Sequence, residues 1–207
     1  RALEANTTGA RNVAVGRVAL GSMATVSNCT AVGYYALGAN TTGAENSAFG
    51  SNCMDANTTG NYNDAFGRDA LGAGDGFSEC CAFGNSALKV NTADHNSAFG
   101  FNALGVNTSG ARNTAFGHRA LESNTTASNN TAVGDYALSD CTTGVDNTAV
   151  GREALQYCTT GFHNSAVGQE SQKVLTTGSY NSSVGHTSLK ALTDGIQNNA
   201  LGSGSMN

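Results

Sequence analysis

Residues Asn147 to His163 read NTAVGREALQYCTTGFH, and the rest of the chain is built from variations on this 17-residue segment. Its anchor is Gly151, which follows an apolar residue. The same glycine recurs at Gly16, Gly33, Gly50, Gly67, Gly84, Gly100, Gly117, Gly134, Gly151, Gly168, Gly185 and Gly202. Ten of the eleven intervals are 17 residues and one, from Gly84 to Gly100, is 16. The residue before the glycine is Val, Phe or, once, Leu. The residue before that is Ala in eleven units, with Ser183 the exception. Four residues after the glycine stands Leu in nine units, with Met54, Gln172 and Met206 as departures. The consensus is N-[TS]-A-[VF]-G-x-x-A-L-x-x-N-T-T-G-x-x, and the x positions carry nearly all the charge.

A 17-residue period is too short for helical-pair repeats, which need about 33 residues or more. Its apolar runs, Thr-Ala-Val and Ala-Leu, are brief and separated by Gly- and Asn-rich turns. The pattern predicts an all-β parallel β-solenoid or β-roll of about twelve 17-residue rungs with two short strands per rung. Rungs about 4.8 Å apart make a rod of roughly 57 Å. Asn in the N-T-T-G corner tolerates left-handed backbone and can stack into amide ladders. The absence of Pro fits strands that must donate to neighbours on both sides.

Composition agrees. Ala, Gly, Asn, Thr and Ser make up 124 of 207 residues, Trp is absent and charged residues are 12 %. This is unlike an enzyme domain with a large aromatic core. It lacks the Glu, Lys, Arg and Leu of a coiled coil and the every-third-residue Gly of collagen. No run approaches the roughly 18–20 apolar residues of a membrane helix, so no membrane span is expected. A net charge of −5 gives no footprint for nucleic acid.

Successive strand residues point to opposite faces, yet Ala and Val/Phe are adjacent in every unit. Each strand is therefore apolar on both faces. The bulkier set, Val15, Phe49, Phe83, Phe116 and Val150 with the Leu column, is expected inside the coil. The Ala set, including Ala31 and Ala48, is expected outside, where a second chain would cover it. The chain begins and stops mid-unit, and an uncapped solenoid end is an open sheet edge. One repeat domain spanning residues 1–207, a segment of a longer fibre or a processed filament protomer, is the expectation, with a homo-oligomer, trimer or end-to-end filament as the partner state.

The motif N-[ST]-A-[VF]-G-x-x-A resembles the head repeat of trimeric autotransporter adhesins, whose heads are left-handed parallel β-rolls of three chains. Arrays of the form NTAVG-x-x-AL-x-x-NTTG also resemble repeat regions of phage tail-fibre-like and bacterial surface proteins. The resemblance covers the whole chain and implies an extracellular location, at a cell or virion surface. The 17-residue unit is longer than the adhesin unit, and neither a heptad stalk nor a membrane anchor nor a chaperone domain falls within these residues. Attachment and host range are therefore not carried over.

Chemistry-bearing residues are few. Cys141 and Cys158 occupy the same column in adjacent rungs, close enough for a disulfide, with stacked thiols as the alternative. Cys29 and Cys80 share another column but lie three rungs apart. No C-x-x-C suggests zinc. Cysteine usage fits an oxidising, extracellular place. The histidines His95, His118, His163 and His186 fall in two columns without converging. No catalytic, cofactor or metal site is expected, and no enzyme. The segment Gly72–Gly76 resembles one calcium-binding nonapeptide, but that site needs successive copies. Sequons at Asn6, Asn28, Asn40, Asn57, Asn107, Asn124, Asn129 and Asn181 are candidates for glycosylation, although turn formation explains most of them. Altogether the sequence points to a structural extracellular fibre or adhesin-type rod. A second reading is a glycan- or receptor-binding module acting through corner residues such as Tyr34, Tyr35, Arg119 and Tyr136. A third is ice binding through columns of Thr. Glycans or other cell-surface ligands are the partners the second reading implies.

Overall fold

The computed structural model describes residues 1–206. It is an all-β, single-sheet parallel solenoid with one three-residue strand per rung. The strands are β1 (Val13–Val15), β2 (Thr30–Val32), β3 (Ser47–Phe49), β4 (Asp64–Phe66), β5 (Cys81–Phe83), β6 (Ser97–Phe99), β7 (Thr114–Phe116), β8 (Thr131–Val133), β9 (Thr148–Val150), β10 (Ser165–Val167), β11 (Ser182–Val184) and β12 (Asn199–Leu201). They pair in chain order. Register matches the repeat: Ala31 lies on Ala48, Ala48 on Ala65 and Phe49 on Phe66. The 16-residue unit is absorbed outside the sheet, since Ala82 still pairs with Ala98.

The second expected strand is absent, for a backbone reason. The Leu of Ala-Leu has φ near +50°, as at Leu20, Leu37, Leu88 and Leu155. A left-handed residue reverses the chain and cannot continue a strand. It also breaks strand alternation, so both members of the pair enter the interior: Ala36 with Leu37 and Ala154 with Leu155 are fully buried. Left-handed backbone costs a non-glycine residue about 1–2 kcal/mol. Burying a Leu side chain returns roughly 1.5–3 kcal/mol, and each Leu amide joins the ladder along the rod, as Leu37 N–H to Cys53 C=O at 3.0 Å and Leu138 N–H to Ala154 C=O at 3.0 Å.

The glycine column is required by stacking. Gly50 has φ +144°, and a Cβ there would lie 2.4 Å from the carbonyl oxygen of Gly67 in the next rung. Each glycine thus makes room for the backbone of the next.

The strand faces reverse the sequence expectation. The middle Ala of each strand from β2 to β10 is fully buried, and the flanking Val and Phe face outward, with Phe116 58 % and Val15 58 % exposed. The Leu column lies inside as expected. Alternation fixes that the two sets oppose each other but not which set is inside. The inside is a narrow slot already filled from the opposite wall by Ala, Leu and Asn, so only a methyl group fits from the strand. The phenylalanines instead form an outer stack: Phe49, Phe66, Phe83 and Phe99 have successive centroid distances of 4.6, 4.5 and 5.0 Å.

Irregular rungs compensate internally. Where Gly74 replaces the corner Asn, Phe77 replaces the corner Gly and is buried; a Cβ on Gly74 would meet its ring at 3.2 Å. In an earlier rung Met23 and Val26 take the corner Asn and Gly places, and both are buried. In the later rungs Gln172 and Ser171 replace Leu and Ala, while Ser183 replaces the strand Ala. These three meet: Gln172 Nε2 donates to Ser183 Oγ at 2.8 Å, and Ser171 Oγ lies 2.5 Å from Ser183 Oγ. An apolar triplet has been exchanged for a bonded polar one.

Candidate interaction surface

Two columns of asparagine line the inside of the corner that leads into each strand. In the first, each side-chain oxygen accepts the backbone N–H of the equivalent residue one rung on, as Asn63 N–H to Asn46 Oδ1 at 3.0 Å and Asn147 N–H to Asn130 Oδ1 at 2.9 Å. Each side-chain amide then donates across the corner, as Asn46 Nδ2 to Gly60 C=O at 2.7 Å. In the second column Asn57 Nδ2 donates to the same Gly60 carbonyl at 3.1 Å. These corners are therefore closed from within.

That geometry decides the fate of most sequons. Asn40, Asn57, Asn107, Asn124 and Asn181 are buried with their amides turned inward, and the fold leaves no room for a sugar on them. Asn6 is half-buried and donates to Gly9 C=O. Asn28 and Asn129 are exposed at left-handed corner positions and are the two sequons open to modification.

Four of the six cysteines occupy asparagine positions and imitate them, while Cys53 takes an Ala place before the Leu column. Cys29 and Cys80 stand in the first column, and their thiols donate to Gly43 C=O at 3.5 Å and Ala93 C=O at 3.3 Å. Cys141 and Cys158 stand in the second column and donate to Gly144 C=O at 3.2 Å and Gly161 C=O at 3.6 Å. The two stack in adjacent rungs, as the spacing predicts, but both are free thiols in the structure rather than a disulfide. Burial pushes both up to about 12, with the neighbouring Cys158 sulfur adding to the rise at Cys141. A protonated thiol is what the donor role requires. Cys81, on the outer face of β5, is the one cysteine that is not buried.

The other sequence candidates are surface features. Three of the four histidines pair with carboxylates across rungs: His118 Nδ1 with Asp135 at 2.9 Å, His95 with Glu79 at 3.3 Å and His163 with Asp146 at 3.9 Å. Among the described residues, no three His, Cys, Asp or Glu side chains stand together as metal ligands. Asp75 of the Gly-rich segment accepts from Thr58 N–H, Thr58 Oγ1 and Gly76 N–H at 2.6, 2.5 and 2.7 Å. Partial burial raises this carboxyl, but those hydrogen bonds outweigh it and hold it below its usual range. Its role is to seal a corner. The first Thr of the corner is also committed, since Thr41, Thr108 and Thr142 donate their hydroxyls to the next rung's Thr carbonyl at 3.1, 2.8 and 3.2 Å. Tyr34 lies beside Tyr35 with Arg17 over its ring, and Arg119 lies over Tyr136. These form separate pairs on the turns, the first exposed and the second half-buried.

What the sequence reading missed is the outer face of the sheet. The first and third residues of the twelve strands present 24 side chains outward, and Asp64 is the only charged one. The rest are Val, Phe and Leu in one column and mainly Ser and Thr in the other. The turn on either side carries the charges. Regularity of the repeat made this column visible in the sequence, but the choice of face was not. No protein-family model, no curated protein and no solved structure matches the chain.

Proposed function

We propose that the chain is a structural rod of an extracellular fibre or adhesin-type assembly, whose work is length, stiffness and spacing. The observation that carries this reading is the unbroken twelve-strand parallel ladder, with its corners closed by asparagine and its irregular rungs repaired in place. Selection for an uninterrupted rod accounts for paired exchanges such as Gly74 with Phe77. Kinship with adhesin heads and tail-fibre repeat arrays belongs to this proposal and rests on the repeat motif alone.

Electron microscopy of the native particle tests it. Inserting three further copies of the segment 113–129 should lengthen the element containing the chain by about 14 Å, at about 4.8 Å per rung. A particle whose dimensions do not change, or a chain found only free in solution, would overturn the reading. Glycan recognition is the second reading, and the exposed Arg17–Tyr34 pair and the half-buried Arg119–Tyr136 pair favour it. A cell-surface glycan captured by the wild-type rod and lost with Tyr136→Ala would support that alternative.

A further inference from the structure

We infer that the uncharged outer face of the sheet binds a second copy of this chain, side by side and parallel, about a two-fold axis along the rod. The inference rests on the rod reading and names its lateral contact.

Three observations converge. The first is composition. Charge is excluded from 23 of the 24 outward strand positions, while Arg, Glu and Asp populate the turns on both sides. A charge-depleted centre, one column apolar and the other mainly Ser and Thr, inside a charged rim matches the anatomy of a protein interface. The second is periodicity. The phenylalanine stack repeats once per rung over β3 to β7. A partner that stays in register along the full length must share that spacing, and a second copy does so by construction. The third is area. Eleven rung steps of about 4.8 Å and a strand about 10 Å wide give about 500 Å² per copy, or about 1,000 Å² for both. That reaches the lower limit for a specific interface, and the rims add to it.

The rims also bear on the direction. The turn after the glycine presents Arg68, Asp135 and Arg152, and the turn before each strand presents Glu45, Glu79, Arg112 and Asp146. A two-fold along the rod brings unlike rims together at equal height. Arg152 then opposes the partner's Asp146, both flanking β9. Arg68 beside β4 faces the partner's Glu45 and the partner's Glu79, at β3 and β5. Asp135 beside β8 lies within one rung of the partner's Arg112 at β7. Like charges meet where Arg11 faces the partner's Arg17 at β1, Arg112 faces the partner's Arg119 at β7 and Asp146 faces the partner's Glu153 at β9, and Arg152 keeps its own-chain pairs with Glu153 and Glu170. An antiparallel pair would instead set each rim against itself.

Sedimentation equilibrium of the 207-residue chain, from low to high micromolar concentration, should show a dimer. The outward double variant F83E/F99E should weaken association about a hundredfold or more, because it buries unpaired charge, with an unchanged far-UV spectrum. The corner variant T42E/T143E should leave it intact. A wild-type monomer throughout this range, an F83E/F99E dimer as tight as wild type, or dissociation by T42E/T143E would each overturn the inference. The wild-type chain supplies a further check that needs no variant. Cys81 lies on the face and sits level with its counterpart in a parallel dimer, whereas an antiparallel dimer sets the two about three rungs, or roughly 14 Å, apart along the axis. A short bismaleimide should join Cys81 to Cys81, and a sedimenting dimer without that product would overturn the parallel arrangement. Scattering from dilute, unassociated chains still reports whether each is a rod, so failure of the contact and failure of the rod are distinguishable.

Discussion

Truncating one rung of the asparagine ladder should weaken the whole rod by a calculable amount. Asn130 is fully buried. Its oxygen accepts Asn147 N–H at 2.9 Å, its amide donates to Gly144 C=O at 2.8 Å, and its own N–H donates to Asn113 Oδ1 at 3.0 Å. Asn130→Ala keeps only the last of these. The Asn147 N–H is left buried without its acceptor, at about 1–3 kcal/mol. The Gly144 carbonyl retains the weak donor Cys141 Sγ, so its loss is that of one net hydrogen bond, about 0.5–1.5 kcal/mol. The total is about 2–4 kcal/mol. With a urea slope near 2–3 kcal/mol/M, the far-UV midpoint should fall by about 1 M. Exchange of the Asn147 amide should accelerate more than that of amides several rungs away, because a solenoid couples mainly nearest neighbours. Asn130→Cys should cost less, since a thiol restores a donor to the corner, as Cys29 and Cys80 do at their equivalents. A loss below about 1 kcal/mol for Asn130→Ala, or identical losses for Ala and Cys, would refute the ladder as the element that closes the corner.

Further outcomes follow from the same packing. Ala82→Phe should collapse its rung by overpacking, costing about 1–3 kcal/mol or more, while Phe83→Ala should lose little beyond its ring contacts, about 1–2 kcal/mol; chemical denaturation of both variants orders them, and the reverse order would put phenylalanine inside. Cys53, Cys141 and Cys158 are held near 12 and Cys80 near 11, from a normal value of 9.0, chiefly by burial. Raised thiols favour the folded state below pH 9 and lose that advantage as pH climbs from 9 towards 12, because the unfolded chain ionises first; stability should therefore fall across that window, and C141N/C158N should flatten the fall. Ser183→Ala alone should destabilise by leaving Gln172 short of a partner, whereas the triple change S171A/Q172L/S183A should be neutral or stabilising; additive denaturation data would show the three side chains to be uncoupled.

The rung period and the Gly and Leu columns are legible in the sequence because stacking makes every rung meet the same constraint. A Cβ at Gly50 has nowhere to go whatever the surrounding residues. The orientation of the strand is not legible. Ala48 and Phe49 are both apolar, and alternation gives only their opposition. The deciding fact is the width of the slot. That width depends on the corner at Met54 and at the leucines that share its column, all with φ near +50°, a conformation their side chains do not advertise. The same hidden corner removes the second strand. For the candidate sites, Asn40 and Asn28 are identical as sequons, yet one faces the interior and the other solvent, because they lie at different points of the turn. The uncharged face is written plainly in the strand columns, but only once the inside is known does it become a surface.

The most direct measurement is small-angle X-ray scattering from dilute chains, with and without the segment 114–130. A solenoid predicts an elongated particle whose twelve rungs extend about 53 Å between first and last strands, and deleting one 17-residue unit should shorten it by about 4.8 Å at constant cross-section. A compact particle whose three dimensions all shrink on deletion, or a cross-section that changes with the number of units, would contradict the rod.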